Sequence, residues 1–264
     1  MLTRSQNPQG LSTFTDITIC IDRSGSMGTF SSAVREGVAD LLETHAQTGS
    51  SAAVEYNLRL VSFDNHQTVL YTGSASELLN GGELDTTKLS VICQGLTPRG
   101  STRLYDTALE EIQGQSQRCE AYLTGLSPEI HALGLSMSVI FILLTDGADN
   151  MSTNSPRVLC EAIEAHRAKY KVSAQFIAAN QDAVATGTRL GFLAETCLQM
   201  DADPQHGRAA MASANASALR TVSGLPGAFL ETERTASSQL SSHDSDPWAM
   251  DYSNGSLEVE VTRN

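Results

Sequence analysis

The chain has 264 residues, enough for one large domain that buries a core without disulfide or metal staples. Lys and Arg number 17 against 30 Asp and Glu, a formal charge of -13. That balance excludes a binder of phosphate backbones or of anionic lipid, so neither nucleic acid nor a membrane is an expected partner, and it suits cations or basic surfaces instead.

Residues 1–12 read as a disordered lead-in. The stretch Met1 to Gly10 is polar and lacks the apolar centre of a secretory signal. No apolar run approaches the roughly 20 residues that span a bilayer. The five cysteines, Cys20, Cys93, Cys119, Cys160 and Cys197, are odd in number and widely spaced, with no Cys-x-x-Cys pair. They indicate neither a disulfide framework nor a zinc site, and a reduced cytoplasmic protein is expected.

A first strand is expected from Phe14 to Ile21, where Ile17, Ile19 and Ile21 alternate with threonines and Cys20. Phe30, Val34, Val38, Leu41 and His45 then recur at three- and four-residue steps and predict a helix from Thr29 to Ala46. Val54 to Phe63 alternates as a second strand. Asp64-Asn65-His66 is a turn, and Gln67 to Tyr71 returns as an antiparallel edge partner. A polar, Gly-containing stretch leads to the loop Leu96 to Thr102, after which Leu104, Ala108 and Ile112 mark another helix.

Ser138 to Leu144 is a continuous apolar run that suits a central parallel strand covered on both faces, and it ends at Thr145-Asp146-Gly147. Ser155-Pro156 starts a helix, with a capping hydroxyl ahead of a proline, and Leu159, Ile163 and Tyr170 form its buried face. Val172 to Ala178 is the next strand and runs into Asn180-Gln181-Asp182. A short helix to Leu190 follows, then a short strand near Cys197 to Met200. Met211, Ala214, Ala218 and Val222 define a last helix, closed by Gly224 and Pro226.

Strands alternating with amphipathic helices predict an α/β domain over residues 13–230. Its sheet is doubly wound, six-stranded and mostly parallel, with helices on both faces and one antiparallel edge strand. Residues 231–264 read as a Ser-rich acidic linker and tail, in which Leu257, Val259 and Val261 alternate with Glu258 and Glu260. That tail suits either an added edge strand or a segment that pairs with another molecule.

Ligands of such sheets bind at the carboxyl ends of the strands. Asp22, Ser24, Ser26, Thr102 and Asp146 all fall on that edge. Oxygen donors without His or Cys favour a hard cation, magnesium, manganese or calcium, over zinc or copper. Two acids and three hydroxyls leave such an ion electrophilic, open to a carboxylate from outside. Asp-x-Ser-x-Ser alone is ordinary turn chemistry; its weight comes from the two further pieces that follow in order.

Asp22-x-Ser24-x-Ser26, the Gly100-Ser101-Thr102 loop and Thr145-Asp146-Gly147 resemble the metal-ion-dependent adhesion site (MIDAS) of von Willebrand factor A (VWA) domains. The likeness extends from Thr13 to Val222. It implies a Rossmann-like sheet and a magnesium or manganese ion, with Ser24, Ser26 and Thr102 coordinating through hydroxyls. Asp22 and Asp146 would act directly or through water, and a Glu or Asp of a protein partner would complete the shell. Arg23, Gly25, Arg103, Gly147, Asn180, Gln181 and Asp182 flank these positions as the candidate rim for that partner. The Asn180-Gln181-Asp182 stretch further resembles a bacterial and phage intracellular subgroup, and equally suits a strand-to-helix turn with a cap.

Three functions compete on these residues. The first is a binding module that grips an acidic side chain through the cation. The second, implied by the resemblance, is a subunit or adaptor of an AAA+ ATPase complex of chelatase or chaperone type. The third is a magnesium-dependent haloacid-dehalogenase-like phosphatase, disfavoured because the position of its general acid, two residues beyond the nucleophile, is Ser24. No Gly-x-Ser-x-Gly elbow surrounds the serines and no Gly-x-x-x-x-Gly-Lys loop occurs, so a non-enzymatic protein is expected. Tyr105 and Asp106 read as packing and capping residues, His66 and His131 as surface histidines, and Cys20 as a small buried apolar residue.

Overall fold

The structure is a computed structural model that describes residues 14–51, 55–126 and 137–238. Its centre is strand β1 (Phe14–Asp22), all nine residues of which are buried. On one side it pairs in parallel with β2 (Glu55–Phe63), which carries the antiparallel edge strand β3 (Gln67–Ser74). On the other side lies β6 (Met137–Thr145), followed by β7 (Ser173–Ala178) and β8 (Cys197–Gln199), all parallel. The resulting sheet has six strands in the order β3-β2-β1-β6-β7-β8. A separate two-stranded hairpin, β4 (Leu79–Asn80) with β5 (Glu83–Leu84), sits in the connection after β3.

Because successive side chains of a strand point to opposite faces, the apolar run of β6 feeds two cores at once. Ile140, Ile142 and Leu144 join Ile17, Ile19 and Ile21 of β1 on one face. Val139, Phe141 and Leu143 join Phe14 and Cys20 on the other. The first face is covered by helices α1 (Ser31–Ser51), α2 (Thr86–Gly95) and α6 (Pro204–Val222). The second is covered by α3 (Leu104–Gly125), α4 (Pro156–Tyr170) and α5 (Ala183–Arg189). Helices α1 and α6 approach closely at Gly37, where a Cβ would stand 2.4 Å from that of Met211.

Asp16 and Thr18 of β1 face α3 and are paired there. Arg118 bonds the buried Asp16 carboxylate at 2.8 and 3.0 Å, and Gln115 bonds its Oδ1 at 2.9 Å. Thr18 accepts from Arg118 at 2.6 Å. These bonds keep Asp16 from being a buried charge without a partner.

Several boundaries differ from the sequence reading. A tight 3-10 turn occupies Gly25–Phe30, so α1 begins at Ser31, and it continues past Ala46 to Ser51. The stretch read as polar and Gly-containing holds the β4/β5 hairpin and α2, whose cap is Asp85, accepting from the amides of Thr87 and Lys88. Ser155 occupies the cap position of α4, but its hydroxyl makes no capping bond; its carbonyl accepts from Val158 and Leu159.

Residues from Glu231 do not begin as a linker. Glu231–Ser237 form helix α7, docked on the outer edge of β8. The lead-in, His131 and the alternating tail lie outside the described residues. Among the described residues, no helix is long and apolar enough to cross a membrane.

Candidate metal centre

Strand register brings the predicted ligands to one edge. Asp22 ends β1 opposite Phe63 of β2, and Thr145 ends β6 opposite Ala178 of β7. Ile21 is paired with Leu144, so Asp22 emerges beside Thr145. The loops that leave this edge carry every residue of the predicted site.

The Oδ1 of Asp22 accepts the Ser24 amide at 2.7 Å, and its Oδ2 accepts the Thr145 hydroxyl at 2.7 Å. The first bond is a side-chain turn that folds the chain back on itself. It leaves the hydroxyls of Ser24 and Ser26 facing each other at 3.1 Å. Ser26 donates to Oδ1 of Asp146 at 2.7 Å. Asp22, Ser24, Ser26 and Asp146 thus form one cluster.

Thr102 is brought to the cluster by its backbone. Gly100 takes a left-handed φ of +72° and its carbonyl accepts the Gly25 amide at 3.2 Å. The Arg99 amide donates to the Arg23 carbonyl at 2.7 Å. On its other side, the Thr102 amide bonds Oδ1 of Asn150 at 2.9 Å, and its carbonyl accepts the amides of Asn150 and Met151. Thr102 is buried and clamped between the loops that follow β1 and β6.

These residues fit a divalent cation. Oδ2 of Asp146 is buried with no hydrogen-bond partner. A carboxylate oxygen left so is costly, by about 1–3 kcal/mol or more, unless a cation or donor meets it. Beside it stand the Ser24 and Ser26 hydroxyls and the second acid, an all-oxygen set suited to a hard ion. Among the described residues no group of three or more His, Cys, Asp or Glu is placed to hold a metal ion, so the hydroxyls are the larger part of this donor set. Burial pushes the Asp22 carboxyl up to about 6, against the bonds from Ser24 and Thr145, with Asp146 adding to the rise. Burial raises Asp146 as well, opposed by the hydroxyls of Ser26 and Ser24.

The candidate rim divides. Gly25, Gly147 and Asn180 are accessible around the cluster. Asn180, with a left-handed φ of 56°, donates to the Asp146 carbonyl at 3.3 Å, and Gln181 to the Gly147 carbonyl at 3.4 Å. Both therefore clamp the turn that carries Asp146. Asp182 is the cap of α5, accepting the Ala185 amide at 2.8 Å. Arg103 lies along α3, paired with Glu110 at 2.7 Å and Asp106 at 3.3 Å.

Arg23 does not belong to the rim. It is buried beneath the loops, where it bonds the Gly95 carbonyl at 2.8 Å and the Thr68 hydroxyl at 3.0 Å and faces Asp64 at 3.1 Å. A guanidinium there is held by an acid that the sequence showed only as part of a turn.

Asp64 and Asn150 are the residues that sequence reasoning missed. Asp64 is buried, accepts from Arg99 and the His66 amide, and pairs electrostatically with Arg23. Burial alone would raise its carboxyl, but the His66 amide and the two arginines outweigh it and hold it below the usual range. Asn150 fixes Thr102. The available signal was the density of Asp and Asn in turns on the ligand edge, which by itself does not separate loop braces from ligands. Asp106 is also a brace: its carboxylate accepts the amides and side chains of Thr153 and Asn154, which outweigh burial and hold it at about 2.

No protein-family model matches the chain, and no curated protein matches it in sequence. Among solved structures, it is similar to proximal thread matrix protein 1 of the mussel byssus, determined with a zinc-occupied MIDAS motif; identity is 16% over 76% of this chain and 47% of that one, with a TM-score of 0.52. It is similar to the pilus adhesin SpaC of Lactobacillus rhamnosus GG, at 14% identity over 81% of this chain and 31% of that one, TM-score 0.51. A variant of the PilB minor pilin of Streptococcus sanguinis aligns at 11% identity over 82% of this chain and 64% of that one, TM-score 0.50. The chain spans about half the length of the mussel protein. Together with the strand order and the antiparallel edge, these likenesses define a VWA fold.

Proposed function

We propose that this chain is a metal-dependent protein-binding module that grips a Glu or Asp side chain of a partner through a divalent cation, magnesium or manganese. The observation that carries the reading is the buried, unpartnered Oδ2 of Asp146, set beside the hydroxyls of Ser24 and Ser26 on the ligand edge of the sheet. Ser24, Ser26, Thr102 and Asp146 would hold the ion, with Asp22 acting directly or through water. The bound ion supplies positive charge and an open coordination position on an otherwise acidic molecule. In support, the mussel protein of the same fold was determined with zinc in this motif. Binding is favoured over phosphoryl transfer because the side chain two residues beyond Asp22 is a serine whose hydroxyl faces Ser26, and no acid stands there to protonate a leaving group.

The test is thermal unfolding with and without metal. Saturating magnesium or manganese should raise the melting temperature of the wild type, by about 2.7 kcal/mol of stabilisation at a hundredfold excess over the dissociation constant. Asp22→Ala should lose the shift. An unchanged curve in the wild type would defeat the reading. Capture of a partner should then require the metal and reverse in chelator.

A further inference from the structure

We infer that a hollow beside the metal loops is a second anion subsite, which takes another carboxylate of the same acidic segment; this rests on the proposed acid-gripping function. The hollow has a volume of about 330 Å³ and is lined by Asp64, Asn65, His66, Arg99 and Gly100. Its position follows from the loops already described. Gly100 bonds Gly25, between Ser24 and Ser26, and lies two residues before Thr102. The hollow therefore adjoins the metal centre.

Its charge is positive on a chain of formal charge -13. Two guanidiniums, Arg23 and Arg99, share the single carboxylate of Asp64, which leaves one positive charge in excess. Arg23 is buried and directs Nη1 and Nη2 inward, to the Gly95 carbonyl and the Thr68 hydroxyl. Arg99 bonds Asp64 through Nε alone, at 2.7 Å, and its side chain is 64% exposed. Among the described residues its two Nη groups have no hydrogen-bond partner. A guanidinium anchored at Nε with its outer edge open is a planar fork, the geometry that carboxylates match with paired hydrogen bonds.

Asn65 keeps the fork in place. Its side-chain oxygen accepts the Ser101 amide at 2.5 Å, and a Cβ on Gly100 would stand 2.5 Å from that same oxygen. The loop that presents Arg99 is thus fixed to the turn after β2 rather than free to swing. An acid held by the metal would leave a second acid, a few residues away on the same extended segment, beside this fork.

The experiment uses the whole chain with manganese and capped synthetic peptides, acetylated and amidated so that side chains supply the only carboxylates. One series carries a single Glu among glycines; the other carries two Glu separated by zero to four glycines. Binding is followed by NMR titration. The expected result is that one spacing binds wild type about fivefold more tightly than the single-acid peptide, beyond the statistical factor of two. The gain should vanish in Arg99→Gln, persist in part in Arg99→Lys, and leave manganese affinity unchanged in both. Equal binding of one-acid and two-acid peptides within the statistical factor overturns the subsite while leaving the proposed function standing. Loss of manganese affinity in Arg99→Gln also overturns it, since Arg99 would then brace the metal loops. Absence of manganese-dependent binding to the single-acid peptide overturns the proposed function, and the subsite with it.

Discussion

The hydroxyl of Thr145 donates to Oδ2 of Asp22 at 2.7 Å and accepts the Gly147 amide at 3.2 Å. One side chain therefore joins the acid at the end of β1 to the turn that carries Asp146. In metal sites, such outer hydrogen bonds fix the orientation of the ligands. Thr145→Val keeps the shape and removes the hydroxyl. It should weaken magnesium or manganese binding by about tenfold and cost about 1–2 kcal/mol of stability. Calorimetric metal titration checks the first and urea unfolding the second; an unaltered affinity would show that the bond does not orient Asp22.

Asp64 is shared by a buried and an exposed arginine, which separates two kinds of ion pair in one place. Asp64→Asn leaves Arg23 buried without its counter-charge and should cost about 3–5 kcal/mol. Arg99→Ala removes only a side chain that is 64% exposed and should cost under about 1 kcal/mol, with the difference shrinking further in high salt. Urea unfolding of the two variants at low and high salt reads both numbers. Equal costs would mean that Arg23 finds other compensation.

How much of this was legible in the sequence depends on how far each signal stands above its neighbours. The alternation of Ile17, Ile19 and Ile21 and the unbroken run to Leu144 are period signals reinforced by burial on both sides, and both strands lie where they predict. The ligand edge follows directly, because each strand ends at the acid or hydroxyl that closes its apolar run. Helix α2 was invisible because it is only ten residues long and buries Ile92 alone, too little for a helical stripe. Arg23 was misplaced because adjacency to Asp22 and Ser24 says nothing of direction, and its partner Asp64 comes from another strand end. Helix α7 has the composition of a linker because its anchors are mostly polar, an arginine and a serine binding carbonyls, and composition alone reports these as solvated.

Two buried histidines should weaken the fold as pH falls. His45 bonds the Tyr56 hydroxyl at 2.6 Å, and burial lowers its ring to about 4. His166 lies between the Ser116 hydroxyl at 2.8 Å and Oε1 of Gln115 at 3.0 Å; burial lowers it to about 4 despite the opposing pull of Asp16. The unfolded chain protonates both near the ordinary value of about 6.5, whereas the folded chain holds out to about 4. Between these values the unfolded state binds more protons, so the stabilising contribution is complete above pH 6.5 and falls as pH drops toward 4. Each ring should contribute on the order of 3 kcal/mol to that loss. Urea unfolding between pH 7 and 4 should show a shallower decline in His45→Gln; a parallel decline would mean that the His45 ring is protonated in the native state.

The edge of the sheet at β8 makes the domain depend on residues beyond its last strand and its long helix. Among the described residues strand β8 pairs with β7 alone, which leaves the outer carbonyls of a three-residue strand to other partners. Arg234 of α7 bonds the carbonyls of Cys197, Glu195 and Ala194 at 2.8, 3.0 and 3.3 Å, and Ser237 bonds that of Gln199 at 2.8 Å. Glu233 pairs with Arg220 of α6 at 2.7 and 2.9 Å, tying α7 to the core helix. A chain ended after Leu230, where the composition turns polar, exposes all of these groups. At about 1 kcal/mol for each lost bond, with charged ones costing more, it should be less stable than the full chain by at least 3 kcal/mol. Arg234→Ala should reproduce about half of that loss. Hydrogen exchange supplies the local test, since the loss should appear first as faster exchange of the Met200 amide, which bonds the Ala178 carbonyl, and unchanged protection there would show that α7 is not what closes this edge.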